Sequence, residues 1–240
     1  MSRDAQSLRI SDASIRVAAL FGFDQLVGRL GGDAAALLKS ERIARSAFVS
    51  PDNRISYAAM IKLLELAAKE LETPDFGLRL SAYQDINILG PAAMIALYSD
   101  TVGDCLEAIA SFFFVHTRGG AVRLVRTAPG QSKLTFEVLI AGLHAKRQIN
   151  ELSLGIGQRL LEMLIAPNFR SERVEFSHGR PDDLRPLRRR FGRQLVFDCP
   201  VNAISVPEER LAQVVPTANR EFRRIAVEYV REHLGSAEDN

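Results

Sequence analysis

The chain has 240 residues, 47% hydrophobic and 25% charged, which excludes a disordered polymer and suffices for the core of one domain or two small ones. Lys and Arg number 31 against 29 acids, a formal net charge of +2, so any contact with polyanions must come from local patches. Two distant cysteines, Cys105 and Cys199, with no CxxC, exclude a disulfide framework or a zinc knuckle and fit a reducing, cytoplasmic setting.

The opening MSRDAQSLRI mixes charges of both signs, and no apolar run approaches the roughly 18 residues of a membrane span, so neither export nor insertion is expected. Helical segments are predicted at about 13–30, 33–40, 75–82 and 90–99, the last opened by Gly90-Pro91. From Tyr57 to Leu71, apolar residues at Met60, Leu63, Leu64, Ala67 and Leu71 follow the helical template, with Ser56 as N-cap and Glu65–Lys69 on the polar side. Thr101 and Asp104 form a capping-box signal for a helix through Leu106, Ile109 and Phe113 that ends near His116.

At Gly119 the period becomes two. Leu134, Phe136, Val138 and Ile140 alternate with Lys133, Thr135, Glu137 and Leu139, and Ala121–Thr127 is the expected partner strand across Pro129-Gly130. A long helix follows from about Lys146 to Ile165, apolar at Ile149, Leu152, Ile156, Leu160 and Met163, with Gly155 and Gly157 marking close packing. Short strands are predicted at Arg173–Phe176, Gln194–Phe197 and Val201–Val206. The last helix, Ala218–Leu234, carries Phe222, Ile225, Ala226, Tyr229 and Val230 on one stripe and ends at Gly235. The fold class is therefore α+β: a mostly helical domain with a small, largely antiparallel β-sheet packed against a long helix.

Catalytic signatures are missing: there is no GxSxG, Walker A or HExxH motif. Gly155-Ile-Gly157-Gln-Arg-Leu160 lacks the third glycine of a dinucleotide loop and sits inside a helical pattern, which favours helix packing. His116, His144, His178 and His233 share no metal-ligand spacing. No enzyme, metal or cofactor is expected.

Several short stretches in order carry more. Phe76-Gly77-Leu78-Arg79-Leu80, Leu89-Gly90-Pro91 and Ser99-Asp100-Thr101-Val102-Gly103-Asp104-Cys105-Leu106 precede Val174-Glu175-Phe176-Ser177-His178-Gly179-Arg180-Pro181, then Phe191-Gly192, Val196-Phe197-Asp198 and Asn202. This set, spanning roughly 13–215, resembles the N-terminal ligand-binding, arabinose-binding-like domain of AraC-type transcription regulators. The resemblance implies a cytoplasmic homodimer that senses a small-molecule effector and reaches DNA only through a C-terminal helix-turn-helix domain. Such regulators continue for about another hundred residues, so the chain reads as a sensor without its DNA-binding half. The expected division is an effector-sensing and dimerisation domain at 1–216 and a linker helix at 217–240. The alternative is a stand-alone interaction module that forms mixed dimers with full-length regulators.

Polar side chains that interrupt apolar surfaces mark the candidate ligand positions. These are His116 and Arg118, beyond Phe112-Phe113-Phe114, with Phe113 beside them, and Arg147 with Glu151, one turn apart on the long helix. His116 could equally be an ordinary helix-end residue, the phenylalanines core, and Arg147–Glu151 a structural pair; His178 could anchor the turn after Phe176. In LRPLRRRFGRQ, Leu187 and Phe191 are expected to face inward with the arginines solvated, or Arg188, Arg189 and Arg190 form an anion or phosphate contact.

Overall fold

The computed structural model describes residue 9 and residues 12–235. The rest of the opening MSRDAQSLRI segment and the end of the proposed linker, 236–240, lie outside the described residues. The chain runs β1 (Ser14–Arg16), α1 (Phe23–Arg29), α2 (Ala34–Ser40), β2 (Arg54–Ser56), α3 (Tyr57–Glu70), α4 (Phe76–Ser81), α5 (Pro91–Leu97), α6 (Val102–Phe112), β3 (Thr117–Arg118), β4 (Gly120–Ala128) and β5 (Gln131–Val138). It continues with α7 (Arg147–Leu164), β6 (Val174–Glu175), α8 (Arg185–Phe191), β7 (Leu195–Val196), β8 (Asn202–Pro207), α9 (Glu208–Leu211) and α10 (Arg220–His233). The architecture is α+β.

Two sheets form. One has the order β2-β1-β3 and the other β4-β5-β8-β6-β7, in which only β6 and β7 run parallel. The β4–β5 hairpin turns through Pro129 and Gly130, and Gly130 supplies the positive φ of 79° that the turn requires. Leu134 and Phe136 of β5 are buried, whereas Lys133 on the other face bonds Glu175 at 2.8 Å and Glu175 also takes Arg173 at 2.7 Å. Alternation in β5 is less strict than expected. Thr135 is buried too, and Leu139 and Ile140 fall beyond the end of the strand.

Local start signals are realised where the sequence places them. Ser56 caps α3, accepting from the Ala59 amide at 3.3 Å. Thr101 and Asp104 form the capping box of α6: the Thr101 hydroxyl accepts from the Asp104 amide at 3.1 Å, and the Asp104 carboxylate accepts from the Thr101 amide at 3.1 Å. Thr101→Ala is expected to cost about 1 kcal/mol, read as a lower urea midpoint at unchanged m-value. An unchanged midpoint would mean that water replaces the cap without loss.

Four expectations are corrected. Residues 13–30 are not one helix, because Ser14–Arg16 pair with both β2 and β3 before a 3-10 turn at Val17–Leu20. The helix expected to end near His116 ends at Phe112 and tightens into a 3-10 turn at Phe113–Val115, which brings the chain into β3. Met163 of α7 is 51% exposed, and the stripe on α10 is split: Ala226 and Val230 are buried, while Phe222, Ile225 and Tyr229 are exposed. A stripe spread over five positions is wider than the contact that α5, the main neighbour of α10 among the described elements, provides.

The long helix α7 crosses α4 at minimal distance. Gly77 donates its amide to the Gln148 side-chain oxygen at 2.8 Å, and Gln148 also donates to the Pro74 carbonyl at 3.0 Å. Further along, Gly155 lies against Ser81, where a Cβ would come within 2.3 Å of the Ser81 hydroxyl. Gly157 faces Ile204 of β8 on another side of the helix. The two glycines thus let α7 approach helix and sheet together, in keeping with their reading as packing positions.

Candidate ligand-binding site

An apolar cavity of about 660 Å³, counting its open mouth, lies between α7 and the larger sheet. The 3-10 turn at Ile86–Leu89 contributes Ile86, Ile88 and Leu89; Ile109 and Phe113 come from α6 and the turn after it; Leu134 and Phe136 come from β5. Three polar side chains interrupt these walls: His116, Thr135 and Ser153. An apolar hollow with a few converging polar groups is the usual form of a small-molecule site.

His116 is 4% exposed and its Nδ1 has no hydrogen-bond partner among the described residues. Burial, and then the positive charges of Arg16 and Arg54, push its imidazole down to about 3, so the ring is neutral at ordinary pH. The ring is thus a neutral polar group beside a mostly apolar space, with one nitrogen not engaged in a hydrogen bond among the described residues. Its neighbours are fixed by a buried cation. Arg16, 5% exposed, donates from Nη1 to the Ile88 carbonyl at 2.6 Å and pairs with Asp52. Gly90 closes this wall with a φ of 62°, and a Cβ there would fall 2.5 Å from the Arg16 guanidinium. The sequence Leu89-Gly90-Pro91 thus combines a wall residue, a turn only glycine fits, and the first residue of α5.

The residues singled out from sequence divide between two places. Phe113 and His116 come together on the apolar cavity, their rings 5.6 Å apart. Arg118 is exposed on β3 and does not line that cavity. Arg147 and Glu151 stand at the other end of α7, where Arg147 Nε donates to Glu151 Oε1 at 2.7 Å. Glu151 is fully buried, and its Oε2 has no hydrogen-bond partner among the described residues. Burial pushes its carboxyl up to about 7, with Arg147 opposing and Asp75 and Glu65 adding to the rise. His178 Nε2 approaches Glu151 Oε1 to 3.7 Å, and its Nδ1 meets the Gly179 carbonyl at 2.9 Å. Burial lowers the pKa of His178, so the ring tends to neutrality.

The arginine cluster also separates. Leu187 and Phe191 face inward at 1% exposure. Arg185 holds Asp183 at 2.9 Å, and Arg190 reaches inward to Glu162 at 3.0 Å and to the Gly155 carbonyl at 3.2 Å, bracing α8 on α7. Arg188 and Arg189 are exposed, and their side chains make no hydrogen bond or ion pair among the described residues. Of the three arginines expected to share an anion contact, Arg190 is engaged internally.

Sequence reasoning did not single out Ile88, Leu89 or Ser153 as cavity residues, nor Asn150, Ser177 and Asn202 near Arg147. One signal was present. The buried face of α7 carries Gln148, Asn150, Glu151 and Gln158, polar residues where the apolar template expects none. Among the described residues no group of three or more His, Cys, Asp or Glu could hold a metal ion, and no helix is long and apolar enough to cross a membrane.

The model of the arabinose-binding domain of AraC transcription regulators, N-terminal, matches residues 31–215, and the chain belongs to that family. Among its relatives is the HTH-type transcriptional regulator VirS of Mycobacterium tuberculosis, 30% identical over 217 residues in each of two strains. That match covers 90% of this chain and 64% of VirS, so the chain spans a little under two thirds of that relative's length. The fold is also similar to the crystal structure of the transcriptional regulator CdpR from Pseudomonas aeruginosa, with a TM-score of 0.62 at 16% identity over 87% of this chain and 62% of that one. The family resemblance carried by the ordered motifs is thereby established.

Proposed function

We propose that the chain is the effector-sensing part of an AraC-type regulator and that the apolar cavity beside Phe113 and His116 receives the effector. The observation that carries this reading is the mostly apolar cavity wall that His116, with a buried Nδ1 lacking a hydrogen bond among the described residues, interrupts together with Thr135 and Ser153. The effector is then a small, mostly apolar molecule with one hydroxyl or N–H group to pair with the imidazole. It acts by stabilising the conformation that it fits best.

The transmission route follows the chain. Ile86, Ile88 and Leu89 form one cavity wall and lead through Gly90 directly into α5. Helix α10 rests on α5 through buried Ala226 and Val230, the Asn219 amide donates to the Tyr98 carbonyl at 3.1 Å, and Arg220 pairs with Asp100 at 3.0 Å. A ligand that shifts the 86–89 wall therefore has a short mechanical path to residues 217–240, proposed as the linker toward a DNA-binding partner. A second reading, an interaction module acting by homodimerisation or mixed dimers, is favoured by the exposed face of Phe222, Ile225 and Tyr229 on α10.

The test is a thermal-shift screen against amino acids, fatty acids, cyclic dinucleotides and small alcohols and phenols. A concentration-dependent rise in Tm confined to mostly apolar molecules with one donor is the expected result. No rise for any of them, together with a stable dimer, would replace the sensor reading with the interaction module.

A further inference from the structure

A second hollow lies at the N-terminal end of α7, whereas the apolar cavity is lined by its middle, Ser153, Leu154, Ile156, Gly157 and Leu160, and the two differ in chemistry. This cleft has a volume of about 690 Å³ including its mouth, and its lining includes His144, Lys146, Arg147, Asn150, Ser177 and His178. Glu137 is the one acid on the lining, and it is paired with Arg123. The side chains of Lys146 and His144 make no hydrogen bond or ion pair among the described residues. The first turn of α7 carries no acid of its own, and the Glu65 carboxylate from α3 accepts its Gln148 amide at 2.8 Å.

The orientation of Arg147 is fixed from below. Its Nε is bound to Glu151, a carboxylate with no exposure, while Nη1 and Nη2 have no partner among the described residues. A guanidinium held by one edge presents the other as a planar fork, the geometry that matches a carboxylate. The remaining wall is also preset: Asn150 donates to the Ser177 hydroxyl at 3.0 Å, and Asn202 accepts the Ser177 amide at 2.9 Å. His178, whose Nε2 stands 3.7 Å from Glu151 Oε1, closes the same wall.

We infer that this cleft is a second ligand site, distinct from the apolar cavity, which takes the carboxylate of a small organic acid on the Nη fork of Arg147 with Lys146 at its mouth. Glu151 is a positioning residue in this site: its Oε1 holds the Arg147 fork. The site needs no occupancy of the apolar cavity, so the two can be tested separately.

The experiment titrates acetate, succinate and benzoate against the chain at constant ionic strength, with chloride and inorganic phosphate as controls, and follows Tm. The wild type is expected to show a saturable rise with at least one carboxylate and none with chloride. Half-saturation should weaken about tenfold or more in Arg147→Gln and in Lys146→Glu. Lys146→Glu leaves the Arg147–Glu151 pair in place, so it decides the question if Arg147→Gln unfolds. No saturable response to any of the three carboxylates, a response equally strong in Lys146→Glu, or a response to phosphate alone would overturn the inference.

Discussion

A single methyl group added at Gly77 is expected to destabilise the fold by about 3 kcal/mol or more. An alanine Cβ there would stand 2.0 Å from the Gln148 carbonyl oxygen, 2.7 Å from its carbon and 2.9 Å from its Cα. All three are backbone atoms of α7, so no side chain can rotate away; α4 and α7 must separate. Separation also breaks the bond from the Gly77 amide to the Gln148 side chain, leaving two buried polar groups unpaired. Gly28 provides the control. It sits in α1 with nothing within 4 Å of its would-be Cβ, and Gly28→Ala should stabilise by roughly 0.5–1 kcal/mol through helix propensity. Urea unfolding of both variants checks the pair, and a Gly77→Ala protein as stable as wild type would refute the close crossing.

The second large effect concerns pH. The Glu151 carboxyl, ordinarily near 4.5, is pushed up to about 7 in the folded protein. Between those values the folded chain keeps a proton that the unfolded chain has released, so this group's contribution to stability is complete below 4.5 and is lost as pH rises through 7. His116 works in the opposite direction. Its pKa falls from 6.5 to about 3, so its contribution is complete above 6.5 and is lost as pH falls toward 3. Between 4.5 and 6.5 the two slopes cancel, and wild-type stability hides both. Glu151→Gln keeps an acceptor for Arg147 and removes one slope. Relative to wild type, the variant is expected to gain about 1.4 kcal/mol per pH unit through the window, roughly 3 kcal/mol in all. Urea midpoints at several pH values test this, and parallel wild-type and variant curves would show that Glu151 is not protonated in the fold.

What the sequence disclosed follows from the range of the interaction that fixes each feature. The Ser56 and Thr101 caps, Gly90-Pro91 at the start of α5 and the Pro129-Gly130 hairpin depend on neighbours within four residues, and each is where its signal stands. Residues 13–30 misled because Ser14–Arg16 are drawn into a sheet by partners some 40 and 100 residues away, which no local periodicity records. The motif Phe76-Gly77-Leu78 was recognisable as a family mark, but the reason for its glycine, the Gln148 backbone, lies 71 residues further on. The same holds for Asn202, whose side chain joins the Ser177 amide to the Phe136 carbonyl. Phe113 and His116 could be named as candidates because they are near in sequence. Ile88, Ser153 and Ile204 could not, since only the packing of α7 on the sheet brings them to the same cavity.

The central claim, that an effector occupies the apolar cavity, is tested most directly by calorimetric titration of 1-hexanol, phenol and indole into the wild type and into Ser153→Leu. Ser153 lies on α7 and lines the cavity. Leucine favours helix and puts apolar bulk where the ligand would sit, so the variant should stay folded with its cavity filled. Saturable binding to the wild type that weakens about tenfold or more in the variant is the predicted result. No binding to the wild type, or equal binding to both proteins, would contradict it.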